Sequence, residues 1–284
     1  YYALGLLTTG IYNTAVGHQA LYSSTTANYN TAMGTQALYS NTTANGNVGI
    51  GYQALNANTT AGGHTAVGYV ALVSNTTGAE NTGFGNQALY SNTSGSYNVA
   101  LGKNALQSNT TASNNTAVGY QAGYSGTTGG YNTSLGTQAL YSNTTASGST
   151  AVGYQAGYSN TTGGVTAFGY QAVYSNLTGG DVTAFGAQAL YSNTGQSNDA
   201  FGYRALYSNT SGIYNVSVGK ESLRSNTTAS NNTAVGYQAA YANTTGTYNV
   251  AVGGTALNDN STGSQNTAVG LDRKSTRLNS SHRT

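Results

Sequence analysis

The chain has 284 residues, a net charge of +2 and only 5% charged residues, and it contains 25 tyrosines but no proline, cysteine or tryptophan. Disordered chains are usually rich in charge and poor in aromatic residues, so we expect this chain to fold. The composition excludes a disulfide framework and thiolate metal sites, and no apolar run approaches the length of a membrane span.

A glycine returns about every seventeen residues and closes sixteen similar units, two of which are one residue shorter. Seventeen residues are too few for a repeat of two helices but fit one coil of a β-solenoid. We therefore predict an all-β, parallel β-solenoid (β-roll) over residues 1–271, with about sixteen coils of 17 residues and two short strands in each coil. The closing glycines are Gly17, Gly34, Gly51, Gly68, Gly85, Gly102, Gly119, Gly136, Gly153, Gly169, Gly186, Gly202, Gly219, Gly236, Gly253 and Gly270.

A typical unit reads Y-Q-A-L-Y-S-N-T-T-G-x-Y-N-T-A-V-G, as in residues 120–136. The runs Gln-Ala-Leu-Tyr-Ser and Asn-Thr-Ala-Val-Gly favour strands, and Asn-Thr-Thr-Gly between them is typical of a turn. A glycine at the same place in every unit indicates a corner with positive φ or with no room for a Cβ.

Strand alternation places Thr116 and Val118 on one face and Ala117 on the other, and we take the valine face as the core. In Gln-Ala-Leu-Tyr the adjacent alanine and leucine put apolar surface on both faces. The face outside the core, with alanine or leucine and tyrosine, is therefore expected to pack against a second copy of the chain.

Stacked coils place equivalent side chains in columns about 4.8 Å apart, which gives a rod of roughly 75–80 Å. Tyrosines form two such columns, and packing within or between rods is a better explanation for them than sugar binding. The first tyrosine column holds Tyr22, Tyr39, Tyr90, Tyr124, Tyr141, Tyr158, Tyr174, Tyr191, Tyr207 and Tyr241. The second tyrosine column holds Tyr52, Tyr69, Tyr120, Tyr154, Tyr170, Tyr203 and Tyr237.

The recurring segment Asn-Thr-Ala-Val-Gly-Tyr-Gln-Ala resembles the head repeat of trimeric autotransporter adhesins, and related units occur in phage tail-fibre-like and other bacterial surface proteins. The resemblance covers residues 1–270. It implies a β-roll, three chains side by side and display outside the cell. The unit of seventeen residues is longer than the adhesin coil, and neither a coiled-coil stalk nor a membrane anchor is visible in the sequence.

The glycosylation signal Asn-x-Ser/Thr recurs on the predicted turn, where we expect it to be exposed. Glycans would help to keep a rod with so few charges in solution, whereas the alternative is that these residues only build the turn. The asparagines are Asn41, Asn58, Asn75, Asn92, Asn109, Asn143, Asn160, Asn176, Asn209, Asn226, Asn243 and Asn260.

No catalytic, cofactor or metal site is predicted, and we expect the protein not to be an enzyme. His18 and His64 are single substitutions in columns held by other residues, and the acidic residues are scattered over different coils. Residues 1–271 have four basic and five acidic side chains, so they carry a net charge of −1 and no basic stripe for nucleic acid.

The sequence favours a structural protein of an extracellular fibre, filament or adhesin rod that associates with itself and possesses a surface for glycans or a receptor. A phage tail-fibre segment is the first alternative. Ice binding by a threonine column (Thr14, Thr31, Thr65, Thr82 and Thr116) is the second, although valines and Asp199 interrupt that column and it shares a face with the presumed core valine.

Both ends of the chain look artificial. Tyr1 falls within a unit, and residues 272–282 resemble the translation of a common sequencing adapter. We therefore expect residues 272–284 to be a non-native tail, residues 1–271 to be part of a longer array, and the gene to come from assembled environmental reads.

Overall fold

The computed structural model of the chain describes residues 2–161 and 163–271. Each coil contributes one short strand, and within these ranges there is no helix, hence none that could cross a membrane. The strands are β1 (Thr14–Val16), β2 (Thr31–Met33), β3 (Val48–Ile50), β4 (Thr65–Val67), β5 (Thr82–Phe84), β6 (Val99–Leu101), β7 (Thr116–Val118), β8 (Thr133–Leu135), β9 (Thr150–Val152), β10 (Val165–Phe168), β11 (Val182–Phe185), β12 (Asp199–Phe201), β13 (Val216–Val218), β14 (Thr233–Val235), β15 (Val250–Val252) and β16 (Thr267–Val269).

The strands form one parallel sheet in which each strand pairs only with the strands of the coils before and after it. Equivalent residues pair directly, as Ala15 does with Ala32. The register is kept across the shortened coils, where Ala151 pairs with Ala167 and Ala184 with Ala200. The missing residues therefore fall in the turns, and the prediction of a parallel β-solenoid with coils of about 17 residues is confirmed.

The strands turn their alanines inward, so the expectation that valine forms the core is wrong. Ala117 is fully buried, whereas Val118 and Thr116 lie on the outside of the sheet. The reason is that the interior of the coil is narrow. A Cβ built on Gly49, which takes the alanine position in β3, would lie only 3.1 Å from Cγ of Leu38 on the facing wall.

The predicted second strand is also wrong, because Gln-Ala-Leu-Tyr-Ser forms a turning segment and the coil has one strand. Gln138 and Leu140 adopt positive φ values of 57° and 50°, and the same two positions do so along the stack. Positive φ at alternate residues breaks the side-to-side alternation of a strand. Ala139 and Leu140 are consequently both buried in the coil's own core, and neither is available to a second copy.

Asparagine side chains replace much of the apolar core with hydrogen bonds between coils. Just before the strand, the Asn47 backbone N–H donates to Oδ1 of Asn30, and Nδ2 of Asn30 donates to the carbonyl of Ala44. This pattern repeats through most coils and satisfies buried polar groups that a solenoid turn would otherwise leave unpaired.

Candidate functional site

The outward side of the sheet has a continuous apolar column along the described coils. The last strand position points outward and is apolar in all sixteen coils, and several of its side chains are about half exposed, including Val16 (56%), Phe84 (50%) and Leu101 (46%). The column consists of Val16, Met33, Ile50, Val67, Phe84, Leu101, Val118, Leu135, Val152, Phe168, Phe185, Phe201, Val218, Val235, Val252 and Val269.

Two positions earlier along each strand, a second outward column runs beside the first. It consists mostly of threonine, with valine in β3, β6, β13 and β15 and Asp199 as its one charge. We call the two columns together the outer sheet face. Three phenylalanines continue its apolar character, because Phe168, Phe185 and Phe201 stack with ring centroids 4.7 and 5.5 Å apart.

The closing glycines lie at the corner directly after each strand. Gly119 has a φ of +134°, and a Cβ on it would lie 2.7 Å from the backbone of Gly136 in the next coil. The corner backbones of successive coils therefore touch, which leaves no space for a side chain.

The asparagines of the glycosylation signals are not exposed, contrary to expectation. Eleven of the twelve are buried, and Asn260 is partly buried. Nδ2 of Asn58 donates to Oδ1 of Asn41 and to the carbonyl of Ala61, at 3.1 and 2.8 Å, so both of its hydrogens are used inside the solenoid. Glycan attachment stays a prediction, and it would require these side chains to leave the core.

The described residues include two histidines, which lie far apart in the stack. His18 is exposed, and His64 is fully buried in the asparagine column that precedes the strand. Nδ1 of His64 accepts the backbone N–H of Asn81, 3.1 Å away, as an asparagine oxygen does in other coils. Burial lowers the pKa of His64 to about 4. The geometry assigns His64 a role in the stack.

The tyrosines stack within their columns on the wall opposite the sheet. Neighbouring rings of the first column lie nearly parallel, with centroids 5.0 Å apart for Tyr124 and Tyr141 and 5.1 Å apart for Tyr141 and Tyr158. The second column is more exposed, and Tyr52 and Tyr69 stack at 5.3 Å. Where consecutive coils both have a tyrosine, the rings cover each other's faces and present edges and hydroxyl groups to solvent. Tyr120, Tyr203 and Tyr237 have no ring beside them in the second column and are 40–51% exposed.

Three basic residues lie close to one another in and beside these tyrosine columns. Lys220 takes a second-column position and Arg224 a first-column position in the same coil, and Arg204 precedes them in the glutamine column. In the sequence these residues contributed only to the assessment of overall charge. Aligning the coils would have found them, because it places Arg224 where most coils have tyrosine and Lys220 between Tyr203 and Tyr237.

The chain was compared with protein-family models, with curated proteins and with solved structures, and none of them matches it. The architecture and the surfaces described above are therefore the basis for assigning a function.

Proposed function

We propose that the protein is a non-enzymatic structural rod whose copies associate side by side through the outer sheet face. The observation that carries this proposal is the outward column that is apolar in all sixteen strands. Burial of apolar surface drives most protein association, and a continuous exposed apolar strip is typical of an interaction surface.

The size of the face fits such an interface. Sixteen strands at about 4.8 Å each, with a width of about 10 Å, give roughly 750 Å² per copy. A standard stable interface buries about 800 Å² per partner, and the largest apolar patch of a typical monomer is about 300–600 Å².

The partner that fits best is a second copy of this chain. The same residue types recur in every coil, so any coil of one copy meets an equivalent surface on another along the whole rod. The face carries one charge, Asp199, which leaves little electrostatic repulsion between copies.

The resemblance to the head repeat of trimeric autotransporter adhesins supports three chains side by side and a place outside the cell, as an adhesin rod or fibre. A phage tail-fibre segment is the alternative within the same structural class. In both, the stacked coils would supply length and stiffness.

Sedimentation velocity tests the proposed association. We expect an oligomer for the unmodified protein and a monomer for the triple variant Val118→Lys, Val152→Lys and Val235→Lys, because three charges in each interface cannot be buried without partners. The control variant Tyr120→Lys, Tyr154→Lys and Tyr237→Lys alters the opposite wall and should remain oligomeric. A monomeric unmodified protein, or dissociation of the control alone, would contradict the proposal. Circular dichroism verifies that both variants are folded.

Ice binding is a second candidate, because the threonine column lies on the outside of the sheet and in register, and not toward the core. Pairs such as Thr14 with Thr31 and Thr116 with Thr133 repeat at the strand spacing. The neighbouring column mixes valine with bulky phenylalanine and methionine, so the face is less even than an ordered-water template requires. Thermal hysteresis from the purified monomer would favour ice binding over side-by-side packing.

A further inference from the structure

The basic residues of the solenoid are concentrated on one small part of its surface. Residues 1–271 contain four, and three of them (Arg204, Lys220 and Arg224) lie within two consecutive coils. They belong to the turning segment, on the wall opposite the outer sheet face. We define the basic–aromatic patch as these three residues with Tyr203, Tyr207, Tyr237 and Tyr241.

The cations of the patch are held between tyrosine rings. Nζ of Lys220 lies 5.9 Å from the ring centroid of Tyr203 and 5.8 Å from that of Tyr237. Cζ of Arg224 lies 5.8 Å from the centroid of Tyr207 and 5.4 Å from that of Tyr241. Each cation thus occupies the place of a missing ring, in one of two adjacent columns.

Arg204 joins the two columns in the preceding coil. Its Cζ lies 4.9 Å from the centroid of Tyr203 and 5.3 Å from that of Tyr207, while its Nε donates to Oε1 of Gln188 at 2.8 Å. The three positive charges therefore form one continuous surface and not three separate sites.

The charges of the patch are poorly neutralised. The one ion pair among the described residues joins Nε of Arg224 to Oε1 of Glu221 at 3.8 Å, and Arg204 and Lys220 have no such pair. Ring contacts at an exposed site stabilise a cation by only about 0.5–1 kcal/mol, so its charge can still attract an anion. The patch has a net charge of +2 with Glu221 included, on a solenoid that carries −1 in total.

The groups around the cations select the kind of anion. Within the patch the ring faces contact the cations, as Tyr203 does with Arg204 at 4.9 Å and Tyr237 with Lys220 at 5.8 Å. Tyr207 is also stacked on Tyr191 at 5.1 Å, so a flat base has little free ring surface between the cations on which to stack. What remains is ring edges, phenol hydroxyls and the side-chain amides of the glutamine column, where Gln188 donates to Gln171. Hydroxyl and amide groups beside cations suit a ligand that carries both hydroxyls and carboxylates.

We propose that the basic–aromatic patch binds an acidic polysaccharide, with its carboxylates at Arg204, Lys220 and Arg224 and its hydroxyls at the tyrosine and glutamine side chains. The chain of sugars would run along the solenoid axis, because the cations of successive coils follow one another in that direction. The patch lies on the wall opposite the outer sheet face, so side-by-side association of copies leaves it accessible.

The repeat itself provides variants that should not disturb the fold. Arg204→Gln and Arg224→Tyr restore the residues that the same columns hold in most coils, and Lys220→Tyr restores the residue that both neighbouring coils have in its column. The control is Lys103→Tyr, which removes the one basic residue of residues 1–271 outside the patch, seven coils away or about 34 Å along the axis.

Binding is measured by calorimetry with the full chain, using polygalacturonate as the acidic polysaccharide, dextran as a neutral one and a single-stranded oligodeoxynucleotide as a different polyanion. We expect polygalacturonate to bind and its affinity to fall about tenfold or more in the triple variant and on addition of salt, but not in Lys103→Tyr. Equal binding of dextran, tighter binding of the oligonucleotide, no binding of polygalacturonate, or an unchanged affinity in the triple variant would each overturn the proposal. None of these outcomes depends on the oligomeric state.

Discussion

At the scale of single residues, the column of buried glycosylation-signal asparagines lacks an asparagine at position 126, and a substitution can supply it. Gly126 stands where neighbouring coils have Asn109 and Asn143, and Oδ1 of Asn109 is buried without a partner. A Cβ on Gly126 would lie 3.4 Å from its nearest neighbours, which is an ordinary contact. The glycine therefore leaves an unmade hydrogen bond and no steric conflict.

We predict that Gly126→Asn raises the free energy of unfolding, because the new Nδ2 can donate to Asn109 as Asn58 does to Asn41. One such bond contributes about 1 kcal/mol. Gly126→Ala is the control, since it supplies only the loss of backbone freedom in the unfolded chain. Urea denaturation of the two variants isolates the hydrogen bond, and an asparagine variant no more stable than the alanine variant would refute its role.

The buried His64 predicts a dependence of stability on pH. Its pKa is about 4 in the folded protein, against 6.5 for an unperturbed histidine. Between pH 4 and pH 6.5 the unfolded chain therefore binds more protons than the folded protein. Stability should therefore fall as the pH falls through this window, by about 3 kcal/mol between pH 7.5 and pH 4.

The variant His64→Asn tests this prediction, because asparagine is the usual residue of that column. We expect it to remove this part of the pH dependence of denaturation, whereas His18→Tyr, which replaces an exposed histidine, should retain it. The same loss of stability toward pH 4 in His64→Asn would show that other groups cause it.

At the scale of the element, each strand has an inward-facing position, the residue before its last, where only small residues occur. That position is alanine, glycine or serine in all sixteen strands, because it faces a narrow interior. We predict that Ala117→Val destabilises the protein by about 1–3 kcal/mol through overpacking. Val118→Leu, which introduces a residue already present at that position in β6 and β8, should change stability by less than about 1 kcal/mol. If thermal denaturation gave Val118→Leu the lower melting temperature of the two, alanine would have to face outward and valine inward, contrary to the structure.

The sequence was sufficient to predict the repeat, the parallel stack and the special place of the closing glycines, because each depends on periodicity. It also contained the signal for the inward alanine, since only small residues occupy that position, but a preference for valine in cores outweighed it. The turning segment was harder to predict. Leucine with positive φ, as at Leu140, is rare enough that no propensity scale anticipates it. Contacts with the next coil impose it.

The burial of the glycosylation-signal asparagines could not be predicted for a related reason. An isolated Asn-Thr-Thr-Gly segment is typical of a polar surface turn. In the stack, the side-chain nitrogen of most such asparagines has two acceptors. Nδ2 of Asn92 donates to the backbone carbonyl of Gly95, three residues later, and to Oδ1 of Asn75 in the preceding coil. Only the neighbouring coil makes burial of this polar side chain favourable.

At the scale of the whole molecule, the solenoid has two chemically different long sides. The outer sheet face has an apolar column beside a column of mostly threonine along its length, and the opposite wall presents tyrosine, glutamine and, in two coils, the basic–aromatic patch. The buried core itself divides into two clusters, which end at Ala122 and begin at Ala139. Gly123 and Gly126 fall between them, so the missing asparagine at position 126 coincides with the break between the two clusters.

Two features are central to the proposed assembly: the coils stack along one axis, and copies meet through the outer sheet face. Cryo-electron microscopy of the protein tests both statements in one map. We predict an axial repeat of about 4.8 Å, one strand per coil, and neighbouring copies in contact through the valine and threonine columns. Particles without that axial repeat, or copies joined through their tyrosine columns, would contradict it.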